Sequence, residues 1–137
     1  MTLTATQIKY LVAIHALDCG GCIRSADIAE LLGVSKPTVH SMLVSLSKLS
    51  LIKKEKYSVI ELTDFGRKIA EKYAVGFSNI RLLLNKQLRI PAETAVEGAL
   101  AILSCLQTED LELHLPSTAW MPEWRLDQKS DPEYNKR

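Results

Sequence analysis

Between Ser35 and Lys56 the chain sets out hydroxyls, one histidine and a run of lysines at spacings that suit contact with a polyanion. Ser35-Lys-Pro-Thr-Val-His-Ser41 opens a helical pattern in which Val39, Met42, Leu43, Leu46 and Leu49 recur on one face. The other face carries Thr38, His40, Ser41, Val44, Ser45 and Lys48. Small hydroxylated side chains with weak positive charge allow close approach to phosphates and base edges. Without a bidentate Arg, Asn or Gln they have little power to tell one base pair from another. Downstream, Lys53, Lys54 and Lys56 stand at the tip of a segment, Leu51 to Leu62, that alternates at its end as a β-hairpin does. Each phosphate neutralised by such a lysine releases counterions, adding about 0.9 to the salt slope of binding. A solvated hairpin tip is the bland reading of the same run.

The second candidate chemistry is Cys19-Gly-Gly-Cys22. A C-x-x-C is compatible with a redox switch, with half of a zinc site, or with a tight Gly-Gly turn flanked by two small, buryable thiols. A zinc site needs two further ligands, for which His15, Cys105 and His114 are the candidates. His40 suits a phosphate or base contact, or a plain exposed position. No acid and base stand at a catalytic spacing, and neither a phosphate-cradling glycine loop nor a nucleophile elbow is present, so no enzymatic activity is expected.

These residues need elements to position them. Ser25-Ala-Asp-Ile-Ala-Glu-Leu-Leu32 reads as a short helix capped by Ser25 or Asp27, with Ile28, Leu31 and Leu32 on one buried face. Gly33 suits a left-handed helix end, Ser35 caps the next helix, and Pro37 has no N–H to leave unpaired in its first turn. Helix, glycine turn, helix, basic hairpin and helix is the wiring of a winged helix-turn-helix, which lays its second helix in the major groove of DNA. On that wiring Ser35, Lys36, Pro37, Thr38, His40, Ser41, Ser45 and Lys48 face the groove, and Lys53, Lys54 and Lys56 face the flanking phosphates. The same module used only for protein contacts is one alternative. Another is a regulator that senses a metal at the Cys/His positions, or a small apolar ligand held between the connecting helix after the wing and a C-terminal arm bearing Trp120 and Trp124.

Ahead of the module, Gln7 to Leu17 reads as an amphipathic helix with Ile8, Leu11, Val12 and His15 on one side. After the wing, Thr63 caps a helix that runs to Ile90-Pro91, about 40 Å at 1.5 Å per residue. Its Ile69, Tyr73, Phe77, Ile80, Leu83, Leu84 and Leu88 need cover, part of which comes from a helix over Ala92 to about Leu106. Two such stripes make a two-fold dimer, or cover one another in a monomer. Residues 108 to 115 read as a short helix, and 116 to 137 as an acidic, proline-punctuated arm whose Trp120 and Trp124 dock on the body or on a partner subunit. The pattern thus predicts a mainly α fold with a two-stranded wing. Its parts are a DNA-binding domain over 1–66, a helical dimerisation domain over 67–115, and a partly mobile arm over 116–137.

The totals agree. The chain has 137 residues, of which 47% are hydrophobic, enough for one compact core. The formal net charge is only +1, yet residues 24 to 68 hold eight Lys or Arg against five Asp or Glu, and the remainder nine against eleven. The basic excess lies where DNA would. The start, Met1-Thr-Leu-Thr-Ala-Thr-Gln7, lacks the form of an export signal, no membrane span is visible and cysteines are few, so a cytoplasmic protein is expected.

Ser25-Ala-Asp-Ile-Ala-Glu-Leu-Leu-Gly-Val-Ser35, the helix from Val39 to Leu46, and Tyr57 followed by Ile60-Glu-Leu-Thr-Asp-Phe-Gly66 together resemble the diphtheria-toxin-repressor and manganese-transport-regulator family of metal-dependent bacterial repressors. The likeness continues more weakly through Val96-Glu-Gly98 to about Leu106. It implies a homodimeric transcriptional repressor in which the first helix, the long connecting helix and the helix after it hold a divalent metal. This sequence departs from that pattern at the ligands. The first-helix positions are Ile8 and Leu11, the connecting-helix histidine falls at or near Phe77, and the next helix keeps only Glu97, with Leu100 and Ala101 at the other places. One carboxylate cannot hold Mn²⁺ or Fe²⁺, so no metal cofactor is expected and hydrocarbon is expected to fill the site.

Overall fold

The computed structural model describes residues 1–18, 22–54 and 59–111. Its first helix, α1 (Ala5–Leu17), starts two residues earlier than the apolar spacing suggests. The Thr4 hydroxyl accepts from the Gln7 amide while the Gln7 side chain accepts from the Thr4 amide, a capping box that fixes the start. Strand β1 (Ile23–Arg24) leads directly into α2 (Ser25–Leu32), where the Asp27 carboxylate accepts the Arg24 N–H. Gly33 then takes a left-handed φ of 65° and reverses the chain. Helix α3 (Lys36–Lys48) begins at Ser35, whose Oγ accepts from the Thr38 amide.

The wing consists of β2 (Ile52–Lys54) and β3 (Val59–Leu62), but it is not a two-stranded ribbon as the sequence suggests. Strand β1 pairs with the other side of β3, giving a three-stranded antiparallel sheet of order β1-β3-β2. Two residues are too few to show a period, so Ile23–Arg24 carried no strand signal.

Helix α4 (Asp64–Leu82) is capped by Thr63, whose hydroxyl accepts from the Gly66 amide and donates to the Ser50 carbonyl. Gly66 lies against the hairpin's first residue so tightly that a Cβ there would sit 1.8 Å from the Leu51 carbonyl oxygen. The Leu-Thr-x-x-Gly exit is therefore a packing requirement. Instead of running on as one α-helix towards Ile90, the chain widens into a π turn over Leu83–Gln87, and Asn85 Nδ2 donates to the Ile90 carbonyl as the chain turns into α5 (Ala92–Ser104). A 3₁₀ turn over Thr108–Leu111 ends the described chain, so the short helix expected over 108 to 115 is described only in its first half.

One hydrophobic cluster joins front and rear. Ile8, Leu11 and Ile14 of α1 meet Ile28, Val39, Leu43 and Leu46 of the helix-turn-helix, the wing's Ile60 and Leu62, and Tyr73, Leu100 and Leu103 behind. Small residues at the rear, Ala70, Ala74, Ala95 and Ala99, are buried and let α4 and α5 approach closely. Of the apolar face expected on α2, only Ile28 is buried. Leu32 is half-buried and Leu31 is 53% exposed. Met42 and Leu49 of α3 are likewise half-buried rather than in the core. No helix among the described residues is long and apolar enough to cross a membrane.

Candidate nucleic-acid interface

The core face of α3 holds Val39, Leu43 and Leu46 fully buried, which turns the opposite face outward. Ser35, Lys36, Pro37, Thr38, His40, Ser41, Val44 and Lys48 are all exposed there. Ser45 differs. It is half-buried and its Oγ accepts a 2.9 Å hydrogen bond from Gln7 Nε2, so it fastens α3 to α1 instead of standing free on the outward face. At the N-terminus of α3 the Ser35 and Thr38 hydroxyls are 2.7 Å apart and share one hydrogen bond.

Strand alternation sends the two described wing lysines to opposite sides. Lys53 faces Glu61 across the β2–β3 ladder, on the side away from the core. Lys54 leaves from the other side, and its Nζ lies 2.7 Å from Nδ1 of His40 on α3. A lysine ammonium can only donate, so Nδ1 accepts and the imidazole carries its proton on Nε2. The outward edge of His40 is therefore a hydrogen-bond donor. Exposed Arg24 on β1 shares the sheet face of Lys53 and Glu61 and adds a cation that was not among the expected contact residues. Lys56 lies outside the described residues.

The other candidate groups do not come together. His15 is half-buried on α1, while Cys22 and Cys105 are exposed. Cys19 and His114 lie outside the described residues, as do Trp120, Trp124 and the arm over 116 to 137. Among the described residues no three His, Cys, Asp or Glu side chains gather at one place. Ile8 and Leu11 are wholly enclosed in the core and Leu100 almost so, while Glu97 and Ala101 point from α5 to solvent. A hard divalent cation needs several oxygen or imidazole donors converging on it, and these residues do not fit one.

Residues 2–60, from the residue after Met1 to the middle of β3, match the family model described as iron dependent repressor, N-terminal DNA binding domain. These residues are similar to the DNA-binding domain of the iron-dependent repressors. This bears out the family resemblance and the winged-helix fold read from the sequence. Among solved structures similar to it, the T. acidophilum IdeR is 26% identical with a TM-score of 0.58, over 77% of this chain and 50% of that one. A structure described as the manganese regulator SloR is 27% identical with a TM-score of 0.60, over 93% of this chain and 54% of that one. ScaR with bound Zn²⁺ is 26% identical with a TM-score of 0.54, over 77% and 51%. The chain thus spans about half the length of these solved structures. A search of the curated proteins finds no significant match.

Proposed function

We propose that this chain is a transcriptional regulator, most simply a repressor, that binds double-stranded DNA through the outward face of α3 and the Lys54 side of the wing. The observation that carries the reading is the continuous donor surface made when His40 and Lys54 join: hydroxyls at the start of α3, an imidazole N–H in its middle, and an ammonium beside it. Ser35, Lys36, Pro37, Thr38, His40, Ser41 and Lys48 approach the groove and Lys54 and Lys56 the flanking phosphates, while Lys53, on the other side of the strand beside Glu61, contributes less. Ser45 contributes by holding α3 in place.

The chain acts as a homodimer in this reading, with residues 1–66 binding DNA, 67–115 dimerising and 116–137 forming an arm. Leu83, Leu88 and Ile102 at the rear are 53%, 61% and 42% exposed, which favours an isologous apolar contact. Two heads so joined would present their α3 helices to successive major grooves, about 34 Å apart. The heads are held by hydrocarbon rather than by an ion, so DNA binding is independent of metal, and in this reading the protein is a cytoplasmic regulator rather than an enzyme.

Fluorescence anisotropy with a random-sequence duplex at low and moderate salt tests the reading. Binding at low salt that weakens steeply as salt rises is expected. Absence of binding at low salt would overturn it in favour of a winged helix that docks protein.

A further inference from the structure

The outward face of α3 carries one row of side chains with an internal order. Lys36, His40, Val44 and Lys48 follow at four-residue intervals, so they lie one above another along the helix, and all four are exposed. The two lysines stand at the ends, about 18 Å apart at 1.5 Å per residue, with an imidazole and a hydrocarbon side chain between them. A major groove is about 12 Å wide, so a row of this length reaches the phosphates on both rims while its middle lies over base edges. Val44, 40% exposed, makes the same point chemically. An isopropyl group set against phosphate would strip water from a charge with nothing in return, whereas over base edges it meets thymine methyls.

His40 enters that middle with its chemistry already chosen. Its Nδ1 takes the Lys54 ammonium at 2.7 Å, which leaves the ring proton on Nε2 and restrains the ring before any ligand arrives. The free edge then offers Cδ2–H, Nε2–H and Cε1–H in succession: one donor, flanked by two weakly positive C–H groups, and no acceptor. Cytosine shows the groove a donor at N4, and adenine sets its N6 donor beside N7, so both would place hydrogen against hydrogen. Thymine shows O4 beside a bulky methyl. Guanine shows two adjacent acceptors, N7 and O6.

We propose that His40 is the specificity-determining residue of this surface and that it reads guanine, donating Nε2–H to N7 or O6 in the major groove. The Lys54 ammonium keeps two further donors for a phosphate beside that base. One such donor gives modest selectivity, in keeping with a helix that has no Arg, Asn or Gln between Lys36 and Lys48. The inference rests on the reading of α3 as a DNA contact, and its test separates the two.

That test is selection of duplexes from a random-sequence pool by the full chain at low salt, followed by sequencing of those retained. The wild-type protein should enrich a guanine, on either strand, at one fixed position of the recovered site, by about fivefold or more over the other bases. His40→Gln, whose amide pairs with adenine N6 and N7, should replace that guanine by adenine and leave the other positions as they were, and His40→Ala should leave the position without preference. Residue 40 is exposed, so neither change endangers the fold. A recovered site whose bases do not change with residue 40 would overturn the proposal and make His40 a phosphate contact; an A·T pair at the position that does change would overturn it too. Nitrogen NMR of the chain without DNA gives a second check. The neutral ring of His40 should carry its proton on Nε2, and a proton on Nδ1 would overturn the proposal whatever the pool returns. Retention of no duplex removes the DNA reading and this inference with it, whereas retention without a guanine that follows residue 40 removes this inference alone.

Discussion

His40 on α3 and Lys54 at the end of β2 are joined by a 2.7 Å hydrogen bond, so the outward helix and the wing present one surface rather than two. Lys53, one residue earlier, leaves the opposite side of the strand and faces Glu61. The lysine run is therefore not three equivalent charges. Lys54→Ala should weaken binding to all duplexes alike and lower the salt slope by about 0.9, whereas Lys53→Ala should change it much less, because Glu61 already offsets that charge. Titrations at several salt concentrations read the two slopes, and equal slopes would remove this asymmetry.

His40→Ala and Lys54→Ala should not be additive. Each alone removes a contact and frees its partner, so a double-mutant cycle in DNA affinity should show a coupling of about 0.5 to 1.5 kcal/mol. A coupling near zero would mean that helix and wing engage DNA independently.

Gly66→Ala should cost about 3 kcal/mol or more, a large part of a typical domain's stability, since the new methyl would collide with backbone at Leu51 and no flexible side chain can yield. Urea denaturation followed by circular dichroism measures it. A loss below about 1 kcal/mol would show that the wing can shift away from α4.

Burial raises the hydroxyl pKa of both Tyr10 and Tyr73 above the usual 10.0, and for Tyr73 nearby Glu109 adds to the shift while a backbone hydrogen bond opposes it. A raised folded value means the neutral rings stabilise the fold fully below about pH 10, and that this contribution is lost as pH climbs through the unfolded value towards the folded one. The melting temperature should fall above about pH 10, and Tyr73→Phe should flatten that fall. At neutral pH Tyr10→Phe should leave stability unchanged or raise it by up to about 1 kcal/mol, because the buried Tyr10 hydroxyl finds no partner among the described residues.

DNA affinity should move less than about threefold when EDTA or Mn²⁺ is added, and a tenfold response, about 1.4 kcal/mol, would show that an ion does hold the heads.

Much of this arrangement was legible in the residues. Gly33, Ser35 and Pro37 act within two or three positions of themselves, so local chemistry sufficed to delimit α2 and α3. Thr63 and Gly66 announced the exit of the wing for the same reason. What escaped depends on contacts made across the chain. Ser45 reads as an outward hydroxyl until α1 brings Gln7 against it. Leu31 fits the apolar period of α2, but a period says only which side a residue takes, and that side opens onto a cleft between α1, α2, α4 and α5 instead of onto packed hydrocarbon. The π turn over Leu83–Gln87 keeps a helical composition and shows itself only in its hydrogen bonds.

Helix α1 touches α2 and α3 on one flank and α4 and α5 on the other. Its Gln7, Ile8, Leu11 and Ile14 are thus answerable to both halves at once. A chimera that grafted this head onto the rear of a relative would inherit a first helix matched on one flank only. On the reading of α3 proposed above, exchanging operator specificity between such proteins calls for substitutions on the outward face of α3, with the helix behind it left as it is.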